Sequence, residues 1–154
     1  ASLAVTEEDG NWNLTEVASF AEMQEGELFL TAKKCFVLDA PEAAVILVSA
    51  QVEGAARLIA LSADQLPEGA LVREIVIDET RRSYTLEVDA LALPADQLLP
   101  GSDFDSIEHS ALLLLSAEMS GGLAGVLHVI IDYLTTRKQF DQYIGSYQSL
   151  KHPT

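Results

Sequence analysis

The chain has 154 residues, 49% of them hydrophobic and 21% charged, which excludes collagen, a disulfide-stapled miniprotein and a disordered tail and leaves room for one domain with a real core or two small modules. Nine Lys and Arg against 24 Asp and Glu give a formal net charge of −15, with the cations scattered from Lys33 to Lys151, so DNA or RNA meets repulsion and no basic patch. A single cysteine, Cys35, excludes an internal disulfide or a multi-cysteine metal site and fits a reducing, cytoplasmic setting.

The opening segment ASLAVTEEDG has neither a basic stretch nor an apolar run of useful length, so no export signal is expected. Between residues 27 and 101, short apolar or alternating runs alternate with turn residues. Strands are predicted at 27–31, 35–38, 44–50, 56–60, 72–77 and 84–88, all rich in Val, Ile, Leu and aromatics. Breaks fall at Pro41, Gly54, Pro67 with Gly69, Pro94, and Pro100 with Gly101. No helical period separates these strands, which argues against a doubly wound parallel sheet and for a small antiparallel β-barrel or sandwich.

After Gly101 the character changes. Ser102 or Asp103 can cap a helix, Asp105 and Glu108 give it an acidic first turn, and it is predicted to run to about Lys138, with Arg137 and Lys138 at its cationic end. Residues 111–134 are apolar over about the length of a bilayer span, yet they include Glu118, His128 and Asp132. Ser116, Ser120, Ala124, His128 and Asp132 recur every four residues, giving one small, polar face. That pattern predicts a helix buried on most sides within a bundle rather than a membrane span. Gly121, Gly122 and Gly125 each cost roughly 1 kcal/mol of helix propensity relative to Ala, tolerable where a neighbouring helix packs closely on the small face. Residues 141–143 form a connector, and a second helix is expected near Ser146. Because the sequence stops soon afterwards, at Thr154, it reads as truncated.

Few residues offer chemistry by themselves. His109, His128 and His152 lack metal-ligand spacing, and His128, on the polar stripe of a packed helix, suits a structural role. Cys35, inside an apolar strand, reads as inert core. The pairs Glu7 with Glu8 and Asp103 with Asp105 read as solvated surface rather than acid/base couples. Neither a G-x-G-x-x-G fingerprint nor a P-loop occurs.

The specific signal is Arg137-Lys138-Gln139-Phe140, preceded by Asp132-Tyr133 and followed by Ile144 and Gln148. It resembles the acyl-CoA dehydrogenase family, whose members carry an R-x-Q-F-G run, an isoleucine or similar, and a glutamine at this spacing after the first long helix of the C-terminal bundle. Leu93-Pro94 through Leu98-Leu99-Pro100-Gly101 is similar to the family's V-P-x-x-x-L-L-G stretch. Val5-Thr6-Glu7 resembles the opening of its T-E-P-x-A-G-S-D loop, and residues 34–39 fall where it has K-x-W-I-T-N. The resemblance covers essentially the whole chain but only the central part of a family member. It implies an α+β chain: a middle β-domain over 1–101, then, over 102–154, the first helix and the start of the second of a four-helix bundle.

Carried over residue by residue, the resemblance implies that Arg137 contacts the pyrophosphate of an FAD held mainly by a neighbouring protomer. Gln139, Phe140 and Gln148 match the positions around its adenosine half. A guanidinium fork suits a diphosphate, and an aromatic edge suits adenine. Thr6 would bond the flavin pyrimidine and Phe36 would stack on the ring. Three departures stand out: Trp12 replaces the serine of the first motif, Leu38 the threonine of the second, and Asp141 the glycine of the third. The family's catalytic base is a glutamate on the later bundle helices or near the start of the first, and the latter site falls near Ala111 and Leu112, neither of which takes a proton. No catalytic residue and no metal ligand is expected in this chain. The function implied is that of a piece of an FAD-dependent dehydrogenase that oxidises acyl-CoA thioesters to 2,3-enoyl-CoA, inactive as the fragment alone and homo- or hetero-oligomeric in its parent. Two alternatives remain: a degenerate, non-catalytic subunit that lends FAD contacts to a partner, or a plain oligomerisation module.

Overall fold

The computed structural model describes residues 1–78, 80–101 and 103–152; the cap candidate Ser102 and the terminal Pro153 and Thr154 lie outside them. The chain divides into two compact units, Ala1–Phe104 and Asp105–Thr154. The first holds β1 Ser2–Ala4, β2 Phe20–Gln24, β3 Glu27–Leu38, β4 Ile46–Val52, β5 Ala55–Leu61, β6 Leu71–Arg73 and β7 Ser83–Pro94. They form one sheet in the order β1-β4-β2-β3-β7-β6, with β5 paired to β4.

Four pairings are antiparallel. Two contacts are parallel: β1 along β4, with Ser2 opposite Ile46, and β2 against β4 at Phe20 and Gln51. Both involve strands that the sequence conceals. β1 is three residues long, and β2 buries one residue in five, so neither shows an alternation to read.

The longest ladder runs from Glu27 opposite Pro94 to Leu38 opposite Ser83, between the 12-residue strands β3 and β7. Lys33 and Lys34 make β3 look like two short strands, whereas it is one. Leu28, Leu30, Ala32 and Lys34 face the core in succession; a bulge between Lys34 and Val37 then slips the phase by one, and Val37 returns to the core. β6 is shorter than predicted, because residues beyond Arg73 leave the sheet and expose Ile75 and Ile77. The core joins Leu28, Leu30, Ile46, Val48, Ile59, Leu61, Leu86 and Val88 from the four strands β3, β4, β5 and β7. Burying each such side chain contributes roughly 1.5–3 kcal/mol.

The second unit consists mainly of α1, Phe104–Thr136, whose 33 residues span about 50 Å. It ends a little before the predicted Lys138 and is followed by β8 Lys138–Gln139, β9 Gln142–Tyr143 and α2 Gln148–Lys151. By length and composition α1 could cross a membrane, a test that the core helix of a soluble protein also passes. The burial expected for it is not met within its own unit. Leu113, Leu114, Met119, Leu123 and Val129 are exposed, because α2, with four residues, is too short to cover them. His128 is exposed too, its Nε2 4.0 Å from Asp132 Oδ2 one turn on.

Candidate functional site

The β-unit brings two predicted residues to one place. The Cys35 N–H donates to the Thr6 carbonyl at 2.9 Å, which docks the segment after β1 beside the end of β3. Thr6 and Phe36 then line one open groove of about 520 Å³ with Val5, Leu38 and Asp39. Phe36 sits in the β3 bulge at φ 57°, a left-handed conformation costly for a bulky side chain. The bulge turns the Phe36 ring outward, leaving it 57% exposed. Asp39 is also left-handed, at φ 47°, and its N–H donates to the Arg82 carbonyl at 2.8 Å.

Glu74 braces the bulge. The Phe36 N–H donates to both its carboxylate oxygens, at 3.2 and 3.3 Å, while Ser83 Oγ and Thr85 Oγ1 donate to them at 2.5 and 2.7 Å. Burial pushes the Glu74 carboxyl up, but bonds from Ser83, Thr85 and the Phe36 amide outweigh it and hold it below its ordinary value. The neighbouring Cys35 is half-buried rather than core. Burial, then the charges of Glu74 and Glu8, push its thiol up, the opposite of what a nucleophile needs.

One acidic pair departs from its reading as solvated surface. Glu8 is exposed and pairs with Lys33 at 2.7 Å, but Glu7 turns inward with its side chain 13% exposed. Its carboxylate accepts from Lys34 Nζ at 2.7 Å, Ser19 Oγ at 2.6 Å, and the N–H groups of Ala18 and Ser19 at 2.6 and 2.9 Å. Burial raises Glu7, yet the bond from Lys34 and those from Ser19 and Ala18 outweigh it and lower the carboxyl to about 2. Lys34 is fully buried and also donates to Ser49 Oγ at 3.1 Å. Burial lowers its ammonium below the ordinary value, and Glu7 pulls it partly back. The ion pair closes the loop between residues 7 and 19 and fixes the segment bearing Thr6. On that loop Trp12 is 84% exposed.

In the second unit, Arg137, Gln139 and Phe140 lie on one hairpin. β8 pairs with β9, Lys138 opposite Tyr143 and Gln139 opposite Gln142, so that Phe140 and Asp141 are the two-residue turn. Their φ angles of 55° and 63° give the double left-handed turn that matches strand twist. Asp141 thus occupies a conformation that glycine adopts freely and Asp tolerates better than most residues. Phe140, at the tip, is 90% exposed. The Arg137 guanidinium lies 5.4 Å from the Tyr133 ring centroid, and its carbonyl accepts from the Ile144 N–H at 3.0 Å. Tyr147 Oη donates to the Gln139 carbonyl at 3.2 Å, and Gln148 opens α2 directly after it. Among the described residues no group of three or more His, Cys, Asp or Glu could hold a metal ion. Glu74 lies in no motif; Glu7 and Lys34 stand in the openings of two motif matches, but nothing in the sequence alone pairs them.

No protein-family model matches the chain. It is 26% identical to the L-prolyl-[peptidyl-carrier protein] dehydrogenase of Serratia sp. (strain ATCC 39006) and 25% identical to the acyl-CoA dehydrogenase fadE12 of Mycobacterium bovis, each over 99% of this chain and 42% of the relative. Among solved structures, a glutaryl-CoA dehydrogenase from Mycobacterium smegmatis in complex with FADH2 superimposes with a TM-score of 0.77 at 22% identity, over 97% of this chain and 40% of that one. The chain therefore spans well under half the length of the relatives it matches. A β-sheet unit followed by a long helix and a short second one corresponds to that family's middle and C-terminal domains. By sequence and by fold, the chain is similar to acyl-CoA dehydrogenases and matches one central part of those longer proteins.

Proposed function

We propose that the chain is part of an FAD-dependent dehydrogenase that oxidises an acyl thioester, carried by CoA or by a carrier protein, to the 2,3-enoyl form. The observation that carries this reading is the meeting of Thr6 and Phe36, 30 positions apart in sequence, on one groove beside a strained, outward-turned aromatic ring. A half-exposed ring and a short hydroxyl side chain are what a planar heterocycle with a polar edge requires. The hairpin of the second unit suits the other half of an FAD held mainly by a neighbouring protomer: the Arg137 guanidinium for its diphosphate, and the Gln139, Phe140 and Gln148 side chains for its adenosine. A bound FAD supplies a two-electron acceptor. This chain's own residues bind and orient; they hold no proton-abstracting group at the early α1 position, where Ala111 and Leu112 stand. The α-proton is thus taken by a group outside the chain, and the chain alone turns over no acyl-CoA. A cytoplasmic setting accords with this reading and with the lone thiol of Cys35.

A second reading, a non-catalytic subunit that lends Arg137 and its hairpin to a partner's FAD, is favoured by the substitutions on the flavin side. Trp12 projects into solvent where a small hydroxyl residue is expected, and the Leu38 side chain on the groove has no hydrogen-bonding group. Flavin absorbance in the purified full-length protein decides between them. Bound FAD in the homogeneous protein, weakened at least tenfold by Arg137→Ala, supports the first reading. FAD that appears only on co-expression with a partner subunit establishes the second, and no flavin in either preparation overturns both.

A further inference from the structure

The structure assigns Glu74 as a positioning residue: we propose that it presents Phe36 to the flavin by bracing the β3 bulge, an inference that rests on the flavin reading above. Left-handed backbone at a bulky residue is unfavourable and persists only where its surroundings over-determine it. At Phe36 the ladder with β7 is interrupted, because register shifts between Lys34 and Val37, so the Phe36 N–H has no strand partner. The Glu74 carboxylate replaces that partner, accepting from the amide with both oxygens.

The carboxylate is held in turn. Ser83 Oγ and Thr85 Oγ1 each donate to one of its oxygens, and both residues belong to β7, the strand facing the bulge. The Glu74 N–H donates to the Ser83 carbonyl at 2.9 Å, so the backbone that carries the carboxylate is tied to the same strand. Three donors therefore converge, through four hydrogen bonds, on a side chain that points at a vacancy in the ladder. Acceptance by a charged group shortens and strengthens such bonds. The ring is the only large part of Phe36 that leaves the sheet, and it leaves on the side of the groove shared with Thr6 and Leu38. Glu74 itself does not line that groove. It acts through Phe36 and not on a ligand.

Positioning by geometry is separable from any effect of the carboxylate charge. In Glu74→Gln one amide oxygen remains to accept from the Phe36 N–H, and the amide nitrogen can donate to a hydroxyl oxygen of Ser83 or Thr85. In Glu74→Ala the acceptor is gone. The test combines two measurements on the chain: amide hydrogen exchange at Phe36 without ligand, and FAD affinity from quenching of flavin fluorescence. Expected are a protected Phe36 amide in the wild type and in Glu74→Gln, at least tenfold faster exchange in Glu74→Ala, and FAD affinity about tenfold lower in Glu74→Ala but within about twofold in Glu74→Gln. In a Phe36→Ala background, Glu74→Ala is expected to change FAD affinity by less than about twofold, because its effect passes through the ring.

An unchanged Phe36 amide in Glu74→Ala overturns the bracing. So does an equal loss of FAD affinity in Glu74→Gln and Glu74→Ala, which would assign the effect to charge. Absence of FAD binding by any variant, measured in the full-length protein as well, overturns the flavin reading and with it the purpose given to the bulge; the exchange data then still report whether Glu74 holds Phe36. The two failures are therefore distinct.

Discussion

Glu7 and Lys34 couple the stability of the β-unit to pH. Glu7 titrates at about 2 in the folded chain against an ordinary 4.5, so the unfolded chain binds its proton more readily than the folded one. Its contribution is complete above about pH 4.5 and is lost as pH falls through that window towards 2. A lowering from 4.5 to about 2 is worth on the order of 3 kcal/mol at most at neutral pH. Thermal melts of wild type and Glu7→Gln between pH 6 and pH 2.5 check this: the wild type is expected to lose several degrees more than the variant over the window, and parallel losses would refute it. Removing only the lysine head is a different perturbation. Lys34→Met fills the buried space but leaves Glu7 with three of its four donor bonds, so it is expected to cost less than Lys34→Ala, which opens a cavity as well. Denaturant midpoints order the two.

At the scale of elements, the hairpin after α1 is shaped by two residues that turn patterns do not mark. A two-residue turn of this class ordinarily announces itself as Asn-Gly or Asp-Gly; here it is Phe140-Asp141, and residues 141–143 read only as a connector. Asp141→Gly is expected to stabilise the hairpin by about 1 kcal/mol by relieving the left-handed strain, measured as slower amide exchange at Lys138 and Tyr143. Gly145 has the opposite constraint. A Cβ added there would lie 2.9 Å from the Leu134 carbonyl oxygen and 3.1 Å from Leu134 Cβ, so Gly145→Ala should push the turn off the end of α1 and cost about 1–3 kcal/mol. An unchanged unfolding midpoint for Gly145→Ala would contradict that packing. The same contrast explains how far the sequence could be read. Strands β4 and β5 are legible because they are predominantly apolar and bounded by turn residues, with only Ser49, Gln51 and Arg57 interrupting them. β3 looks like two strands in the sequence because a buried lysine resembles a surface one until its carboxylate, 27 positions away, is placed beside it. Phe36 and Arg137 were reachable through motifs, whereas Glu74 was not, since what it does depends on residues 36, 83 and 85 meeting across strands that no local pattern connects.

At the scale of the whole chain, the net charge of −15 opposes the approach of the anionic cofactor proposed above. The proposed diphosphate contact is local, one guanidinium on a hairpin, whereas the repulsion is spread over the chain and reaches roughly a Debye length, about 30 Å at 10 mM salt but about 8 Å at 150 mM. Screening therefore removes the long-range repulsion before it weakens a bond made at contact distance. FAD association with the chain is expected to accelerate several-fold between 10 and 150 mM salt, the reverse of a protein that steers its anionic ligand with a positive field. Arg137→Ala should lower affinity at every salt concentration and leave the acceleration intact, because it removes the contact and adds only one charge to a large surplus. Stopped-flow quenching of flavin fluorescence in both proteins measures the two effects separately. An association rate that falls with salt in the wild type and becomes insensitive in Arg137→Ala would mean that the guanidinium steers as well as holds, and that the acidic surface is turned away from the path of entry.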